Sequence, residues 1–226
     1  MIQLIRNRGA VLILAGLLTI TLSVAGCSSL SKTEKGAAVG AGAGAVIGGV
    51  VGAKYGGTAK GAIIGAAVGG AAGAIIGQQM DKQANELEEE LEGAEVDRVG
   101  EGIAVRFDNS LMFDFDSAQL RASARNDLSS LAQNLQDYPN TDLVIVGHTD
   151  AVGSDDYNLE LSQRRAEAAR SHLIADGVSP SRVTTLGKGE REPVDSNDTD
   201  VGRQQNRRVE IAIYANEEFR DEVAQN

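Results

Sequence analysis

The stretch VIVGHTDAVGSDDYNLELSQRRAEAAR, Val144–Arg170, combines an apolar run, a polar loop and a helical pattern. A short, wholly apolar run of this kind is typical of a buried strand. Glycine, serine and aspartate in the following loop are typical of a turn, and a helix is expected from Tyr157 to about Ala175. Asp150 therefore lies just past a buried strand, where a rigid support often positions functional side chains.

The predicted helix has two neighbouring faces. At helical spacing, one face carries Asn158, Leu161, Ser162 and Arg165. The adjacent stripe, which can bury against a sheet, carries Leu159, Ala166, Ala169 and Leu173. Arg165 is therefore expected at the edge of the core, held but reachable. A carboxylate and a guanidinium fixed apart suit a zwitterionic ligand, although the spacing leaves open that Asp150 and Arg165 pair with each other or with the backbone.

Strands and helices alternate on both sides of this stretch. GIAVRF is expected to form a strand, SLMFDFDSAQL a second strand running into a cap, and LRASARNDLSSLAQNLQDYP an amphipathic helix that stops before Pro139. After the central helix, a stop at Gly177 precedes the strand RVTTLG, a long polar loop and the last strand RRVEIAIYA. This order predicts a two-layer α/β sandwich built mainly through crossover connections. The acidic tail at residues 217–226 is expected to fray.

The N-terminus has the anatomy of a secretory signal over residues 1–26. Arg6 and Arg8 precede an apolar run that is shorter than the roughly 20 residues of a membrane-spanning helix. The run ends in LSVAGC, which resembles a bacterial lipobox, in which the cysteine, here Cys27, becomes the lipid-modified N-terminus. Cys27 is the only cysteine in the sequence and cannot form a disulfide within the chain. Ser28, which is not aspartate, favours the outer membrane by resemblance to enterobacterial sorting.

After a polar tether at residues 27–35, glycine recurs at every fourth position in two copies. The first copy contains Gly36, Gly40, Gly44, Gly48, Gly52 and Gly56, and the second contains Gly61, Gly65, Gly69, Gly73 and Gly77. Glycine disfavours a helix in water by roughly 1 kcal/mol relative to alanine, whereas small residues spaced by four let helices pack closely in lipid. The pattern predicts a glycine-zipper helical hairpin at residues 36–80, in or on the membrane and able to self-associate. A flexible glycine–alanine linker is the alternative.

The next stretch, residues 81–100, is highly charged. Leu87 and Leu91 lie at helical spacing among many glutamates. This pattern predicts an exposed linker helix, or else the first helix of the folded domain.

Charge and motif content exclude several classes of function. The net charge is -11 at pH 7 and becomes -13 once the signal and its two arginines are removed, so nucleic acid is not expected as a partner. The only two histidines, His148 and His172, are too far apart to predict a metal site. GKGEREP lacks the spacing of a phosphate-binding loop, and no cofactor is predicted. His148, Asp150 and Ser162 lack the Gly-x-Ser-x-Gly context of a hydrolase, so no enzyme is predicted.

Four segments in the second half of the chain occur in a specific order: FDFDSAQL, GHTDAVGSDDYNLELSQRRAEAARSHL, GVSPSRVTTLGKGEREPV and NRRVEI. They resemble successive signature segments of the OmpA-like peptidoglycan-binding domain, which OmpA, Pal and MotB proteins share. The resemblance covers roughly residues 101–216 and implies an α+β sandwich with a mixed sheet in the order βαβαβ-β. It also implies non-covalent binding of the meso-diaminopimelate of peptidoglycan.

By this resemblance, Asp150 and Arg165 are the principal binding residues. The other implied site residues are Thr149, Asn158, Leu159, Phe115, Asp116 and Arg207. The family places a helix N-terminus beside the ligand, in agreement with capping by Asp156 and Asn158.

Together these patterns predict a lipoprotein that ties a membrane to peptidoglycan. The outer membrane, with the protein facing the periplasm, is the expected location, and the inner membrane is the second choice. Acyl chains on Cys27 and the glycine-zipper helices would contact the bilayer. The alternative function is a glycine-zipper oligomer, pore or assembly factor that uses the C-terminal domain only as a wall anchor.

Overall fold

A computed structural model describes residues 57–114 and 116–225 of the chain. The signal peptide, Cys27, the tether and the first glycine-spaced copy lie outside the described residues, as does Phe115. The predictions made for them stay predictions.

The described residues form helices and strands in alternation. In chain order the elements are α1 (Thr58–Ala66), α2 (Gly70–Glu90), β1 (Ala94–Val99), β2 (Gly102–Asp108), α3 (Asn109–Met112), α4 (Ala122–Asp137), β3 (Thr141–His148), α5 (Asp155–Ala175), a 3-10 turn (Pro180–Arg182), β4 (Val183–Gly189), α6 (Asp200–Asn206), β5 (Arg208–Ala215) and α7 (Glu217–Gln225).

The five strands form one mixed sheet in the order β1-β2-β5-β3-β4. Strand β5 lies between β2 and β3 and is antiparallel to both, so β2 and β3 point the same way. Strand β4 pairs with β3 in parallel. Helices α4 and α5 are thus the two crossover connections, and the predicted α/β fold with a mixed sheet is confirmed.

One face of the sheet packs against α2, α4 and α5. Leu143 and Ile145 of β3 face these helices, whereas Val144 and Val146 face the opposite side. Successive side chains of a strand point to opposite faces, so a strand covered on both faces is apolar throughout. The apolar run of the opening stretch is therefore the centre of the core.

The opposite face of the sheet is covered by α1, which comes from the second glycine-spaced copy. Ala59, Ala62 and Ile63 are buried against the sheet, in a cluster that includes Ala212 of β5. A β-carbon at Gly102 would overlap the Ile63 side chain, so this glycine makes room for the contact. Small residues on both surfaces let helix and sheet approach closely, and the sequence analysis did not anticipate this third layer.

The second glycine-spaced copy is not one continuous helix. Helix α1 ends at Ala66, and Gly69 and Gly70 have φ values of 75° and 64° before α2 begins. Such positive φ angles interrupt a helix and are readily adopted by glycine. In the part of the chain that the structure describes, no helix is long and apolar enough to cross a membrane. For this copy, the predicted single membrane helix is corrected to two helices, of which α1 is docked on the sheet.

The boundary predicted at residue 101 is also wrong. Helix α2 runs through the charged stretch to Glu90, with Met80 and Leu87 fully buried in the core. Strand β1 follows and forms the edge of the sheet. The linker helix predicted at residues 81–100 is therefore part of the folded domain, in agreement with the alternative interpretation, and its glutamates lie mostly on the solvated side of α2.

Three shorter segments differ from their predictions. The expected strand SLMFDFDSAQL contains the short helix α3, because the Asp108 side chain accepts a hydrogen bond from the Ser110 amide and starts a helical turn. The polar loop before β5 contains α6, capped by Thr199. The acidic tail forms α7 instead of fraying, because Phe219 packs against the core.

Candidate functional site

A cavity of about 420 Å³ lies where β3 ends and α5 begins. Loops at the end of a buried strand are common places for binding sites. The residues that line it are Asn109, Ser110, Phe113, Asp114, Asp116, Arg121, Thr149, Asp150, Val152, Tyr157, Asn158, Leu161, Arg165, Arg203 and Arg207.

Asp150 is two residues past the end of β3 and is 8% exposed. One of its carboxylate oxygens accepts a hydrogen bond from the Val152 amide at 3.0 Å. The other forms an ion pair with the Arg207 guanidinium. The carboxylate is thus fixed in the cavity wall by the Val152 amide and the Arg207 guanidinium.

Arg165 lies in α5 and is only 3% exposed. Its Nε donates a hydrogen bond to the Ser117 carbonyl at 2.9 Å, and its guanidinium lies 5.4 Å from the centre of the Phe113 ring. Burial lowers the pKa of Arg165 to about 10, an effect that the Asp116 carboxylate partly offsets, so the side chain stays charged at neutral pH. Within 57–114 and 116–225, no group accepts a hydrogen bond from its two terminal nitrogens.

Asp150 and Arg165 do not pair with each other. Asp150 pairs with Arg207, and Arg165 bonds to a backbone carbonyl. The alternative of mutual pairing is therefore wrong, although both residues have a backbone partner, the Val152 amide for Asp150 and the Ser117 carbonyl for Arg165. Both charges line one cavity without neutralising each other directly, as the zwitterion hypothesis requires.

Asn158 and Thr149 support the end of β3. Asn158 donates through its side-chain nitrogen to the Asp150 carbonyl at 3.2 Å and to Glu190 at 2.6 Å. The Thr149 amide donates to the Gly189 carbonyl at 2.9 Å, and its buried hydroxyl has no hydrogen-bond partner among the described residues. Asn158 therefore positions the backbone at Asp150.

The cap of α5 differs from the prediction. The Ser154 side chain accepts from the Tyr157 amide and is the N-cap, whereas Asp155 and Asp156 lie in the first turn. Acidic residues there interact favourably with the positive end of the helix dipole. Asp156 and Asn158 are therefore not caps.

At the rim of the cavity, Asp116 accepts a hydrogen bond from the Tyr157 hydroxyl. Asp116 has a φ of 55°, in the left-handed region that aspartate tolerates better than most residues. This contact connects the loop after α3 with the first turn of α5.

The structure brings six of the eight residues implied by resemblance to the cavity wall. Leu159 does not line it; Leu161, on the face of Asn158 and Arg165, does. Arg121 and Arg203 line the mouth and were missed by the sequence analysis. Arg203 lies on α6, which was expected to be loop, so no helical pattern indicated which way it points.

Two glycines set the distance between β3, β4 and α5. A β-carbon at Gly147 would overlap the Ser162 carbonyl, and one at Gly187 would crowd the backbone of Gln163. The Ser162 hydroxyl donates to the Leu159 carbonyl at 2.8 Å and accepts from the Gly189 amide at 2.9 Å. Ser162 therefore links α5 to the end of β4 through these two hydrogen bonds.

Comparison with known proteins identifies relatives of both parts of the chain. A model of the OmpA family matches residues 112–207, and a model of the YMGG-like Gly-zipper matches residues 7–81. The chain is 40% identical over 117 residues to the peptidoglycan-associated lipoprotein of Brucella melitensis, covering 52% of this chain and 70% of the relative. This chain belongs to the OmpA family.

Other similarities agree with this assignment to the OmpA family. The chain is 42% identical over 121 residues to the probable lipoprotein YiaD of Escherichia coli, covering 54% of this chain and 55% of the relative. The chain thus spans about half the length of that relative. The solved structure of the cell wall anchor of the T6SS from Pseudomonas aeruginosa matches with a TM-score of 0.52 and 27% identity, covering 60% of this chain and 96% of that chain. The glycine-zipper motif and the OmpA-like domain read from the sequence are both confirmed.

Proposed function

We propose that this OmpA-family protein is a lipoprotein that anchors a membrane to peptidoglycan without catalysing a reaction. The cavity would bind the zwitterionic end of meso-diaminopimelate, with its ammonium group on Asp150 and its carboxylate on Arg165. One observation carries the proposal: a buried aspartate and a buried arginine line one cavity and do not pair with each other. The names of the relatives, which include a peptidoglycan-associated lipoprotein and a cell wall anchor, support it.

The charges around the cavity suit this ligand. The two terminal nitrogens of Arg165 can donate parallel hydrogen bonds to a carboxylate. The ammonium group would compete with Arg207 for the Asp150 carboxylate, so Arg207 would become available to a second acidic group of the ligand. A ligand that lacks the ammonium group or the carboxylate would lose its ion pair with Asp150 or with Arg165. The site would therefore discriminate strongly against such a ligand.

The membrane end of the anchor would be the lipid on Cys27, in the outer membrane with the domain facing the periplasm. A single acyl chain binds a bilayer only marginally, so durable anchoring needs further chains or contact through the glycine-rich helices. The relative named as a probable lipoprotein supports lipidation.

The function is tested by retention of the full-length protein, in detergent, on purified peptidoglycan with free meso-diaminopimelate as competitor. Asp150→Ala and Arg165→Ala are each expected to weaken binding by roughly 30-fold or more, because truncating one partner of a buried charge pair costs about 2–5 kcal/mol. Asp155→Ala and Arg164→Ala are matched controls, since both residues form exposed ion pairs outside the cavity. Wild-type protein that does not bind would refute the proposal. Variants that lose binding and thermal stability together would show a structural role instead.

Arg165→Lys separates charge from geometry. Lysine keeps the positive charge but cannot bond the Ser117 carbonyl and present two parallel donors at once. We expect affinity for free meso-diaminopimelate, measured by competition, to fall by about tenfold or more, which corresponds to about 1.4 kcal/mol. Arg164→Lys is the control. An unchanged affinity would mean that charge alone suffices at this position.

A further inference from the structure

Charged side chains of the sheet domain hold the ends of the docked helix α1. Glu192 accepts hydrogen bonds from the Thr58 amide, at 2.9 Å, and from the Thr58 hydroxyl. Arg220 donates to the Ala66 carbonyl at 3.2 Å. An anion at the start of a helix and a cation at its end both interact favourably with unsatisfied backbone groups and with the helix dipole. The sheet domain therefore binds α1 as a ligand would be bound, by polar contacts at its ends and apolar contacts along its side.

The outer side of α1 carries one large apolar side chain that water reaches, Ile64, which is 45% exposed. Val68, between α1 and α2, and Ile75, on α2, are 41% and 52% exposed. Lys60, near the start of α1, is the one charged residue of this helix. Beneath α1, both ring nitrogens of His148 and one carboxylate oxygen of Glu210 are buried without a hydrogen-bond partner among the described residues. Burying polar atoms without hydrogen bonds costs free energy, which offsets part of the free energy that α1 gains by docking on the sheet.

Arg207 and Arg208, adjacent in the chain, connect the cavity with the Glu192 side chain that caps α1. Arg207 lines the cavity and pairs with Asp150. Arg208, the first residue of β5, lies on the same face of the sheet as Glu210, two residues along the strand. It donates to the Glu192 carbonyl at 3.1 Å and to the Glu210 side chain at 2.7 Å. Since the Glu192 side chain holds the start of α1, a continuous set of bonded groups leads from the cavity carboxylate to the docked helix.

We propose that ligand binding in the cavity and docking of α1 oppose each other. The inference rests on the proposed function, because the ligand's ammonium group must compete with Arg207 for Asp150. Displacing Arg207 shifts Arg208, which loosens Glu192 and weakens the cap on α1. Binding to the wall would then release α1 from the sheet.

The test uses the full-length protein in detergent and measures hydrogen exchange of residues 58–66 with and without saturating meso-diaminopimelate. We expect the ligand to accelerate exchange in α1 by about fivefold, the lower range of measured couplings between sites. The Asp150→Asn variant, given the same ligand concentration, should show no acceleration. Faster exchange in the wild type alone would support the coupling.

Thermodynamic linkage supplies a second, reciprocal measurement. Glu192→Ala removes the cap of α1, whereas Ile63→Ala removes an apolar contact remote from the bonded groups. If docking and binding oppose each other, both variants should raise the affinity for meso-diaminopimelate, each by the factor by which it favours release. An effect of Glu192→Ala alone would mean a local influence through Arg208 and would overturn the coupling.

The remaining outcomes distinguish the two proposals. Ligand binding to the wild type with unchanged exchange in α1 would overturn the coupling and leave the proposed function standing. No ligand binding to a folded wild type would overturn both.

Discussion

A fragment that begins at Glu101 is expected to lose the cooperative unfolding transition of the domain. Such a fragment lacks α1, α2 and β1, and with them Ile76, Met80 and Leu87, all fully buried in the main core. Burying side chains of this size contributes roughly 1.5–3 kcal/mol each, so three contribute on the order of 5–9 kcal/mol. That loss is comparable to the whole stability of a typical domain, about 5–15 kcal/mol.

Loss of β1 adds a second effect. Strand β2 would become the edge of the sheet, and its unpaired backbone groups would be open to pairing with another chain. Thermal unfolding by circular dichroism and size-exclusion chromatography should therefore show a weak or absent transition and self-association. The matched control is a fragment that begins at Gly57, which retains every described element. A fragment from Glu101 that unfolds cooperatively at the same temperature as this control would contradict the assignment of α2 and β1 to the domain.

Among substitutions that add a single methyl group within residues 144–170, Gly147→Ala is expected to destabilise the domain most. The added β-carbon would overlap the Ser162 carbonyl, which is backbone and cannot rotate away. Strand β3 and helix α5 must then separate, at a cost of about 3 kcal/mol, the upper range for overpacking a core. For a protein of this size, that cost lowers the melting temperature by roughly 6–12 °C.

The same change should weaken ligand binding, because β3 positions Asp150 and α5 positions Arg165. Gly77→Ala is the matched control: it lies within α2, and a β-carbon there meets no heavy atom within 4 Å. Alanine is favoured over glycine in a helix by up to roughly 1 kcal/mol, so Gly77→Ala should leave the melting temperature unchanged or raise it. Equal destabilisation by both substitutions would show that glycine flexibility, and not the contact with Ser162, is what matters at position 147.

The central elements of the domain could be predicted because their signals are local. The apolar run before Gly147 and the helical spacing from Tyr157 onward each depend on near neighbours in sequence, and both became the expected elements, β3 and α5. The pairing of Asp150 with Arg207 could not be predicted, because the two residues meet only when β5 inserts between β2 and β3.

The environment of the second glycine-spaced copy could not be predicted from local signals. Its pattern favours close approach to another surface, but it does not specify whether that surface is lipid, another helix or a sheet. In the structure the surface is the small-residue face around Ala212 and Gly102. Likewise, the glutamates of residues 81–100 correctly indicated a solvated helix. They did not indicate that the opposite side of this segment places Leu87 and Leu91 in the core.

By itself, the sequence determined the order of the central elements β2, α4, β3, α5, β4 and β5, the family, and the placement of Asp150 and Arg165 beside one strand end, since these follow from periodicity and from local motifs. Only the tertiary structure decided where the domain begins, which arginine neutralises Asp150, and that α1 covers the second face of the sheet. Those features depend on contacts between residues far apart in the chain, whose free energies are set by shape and burial that no local pattern encodes.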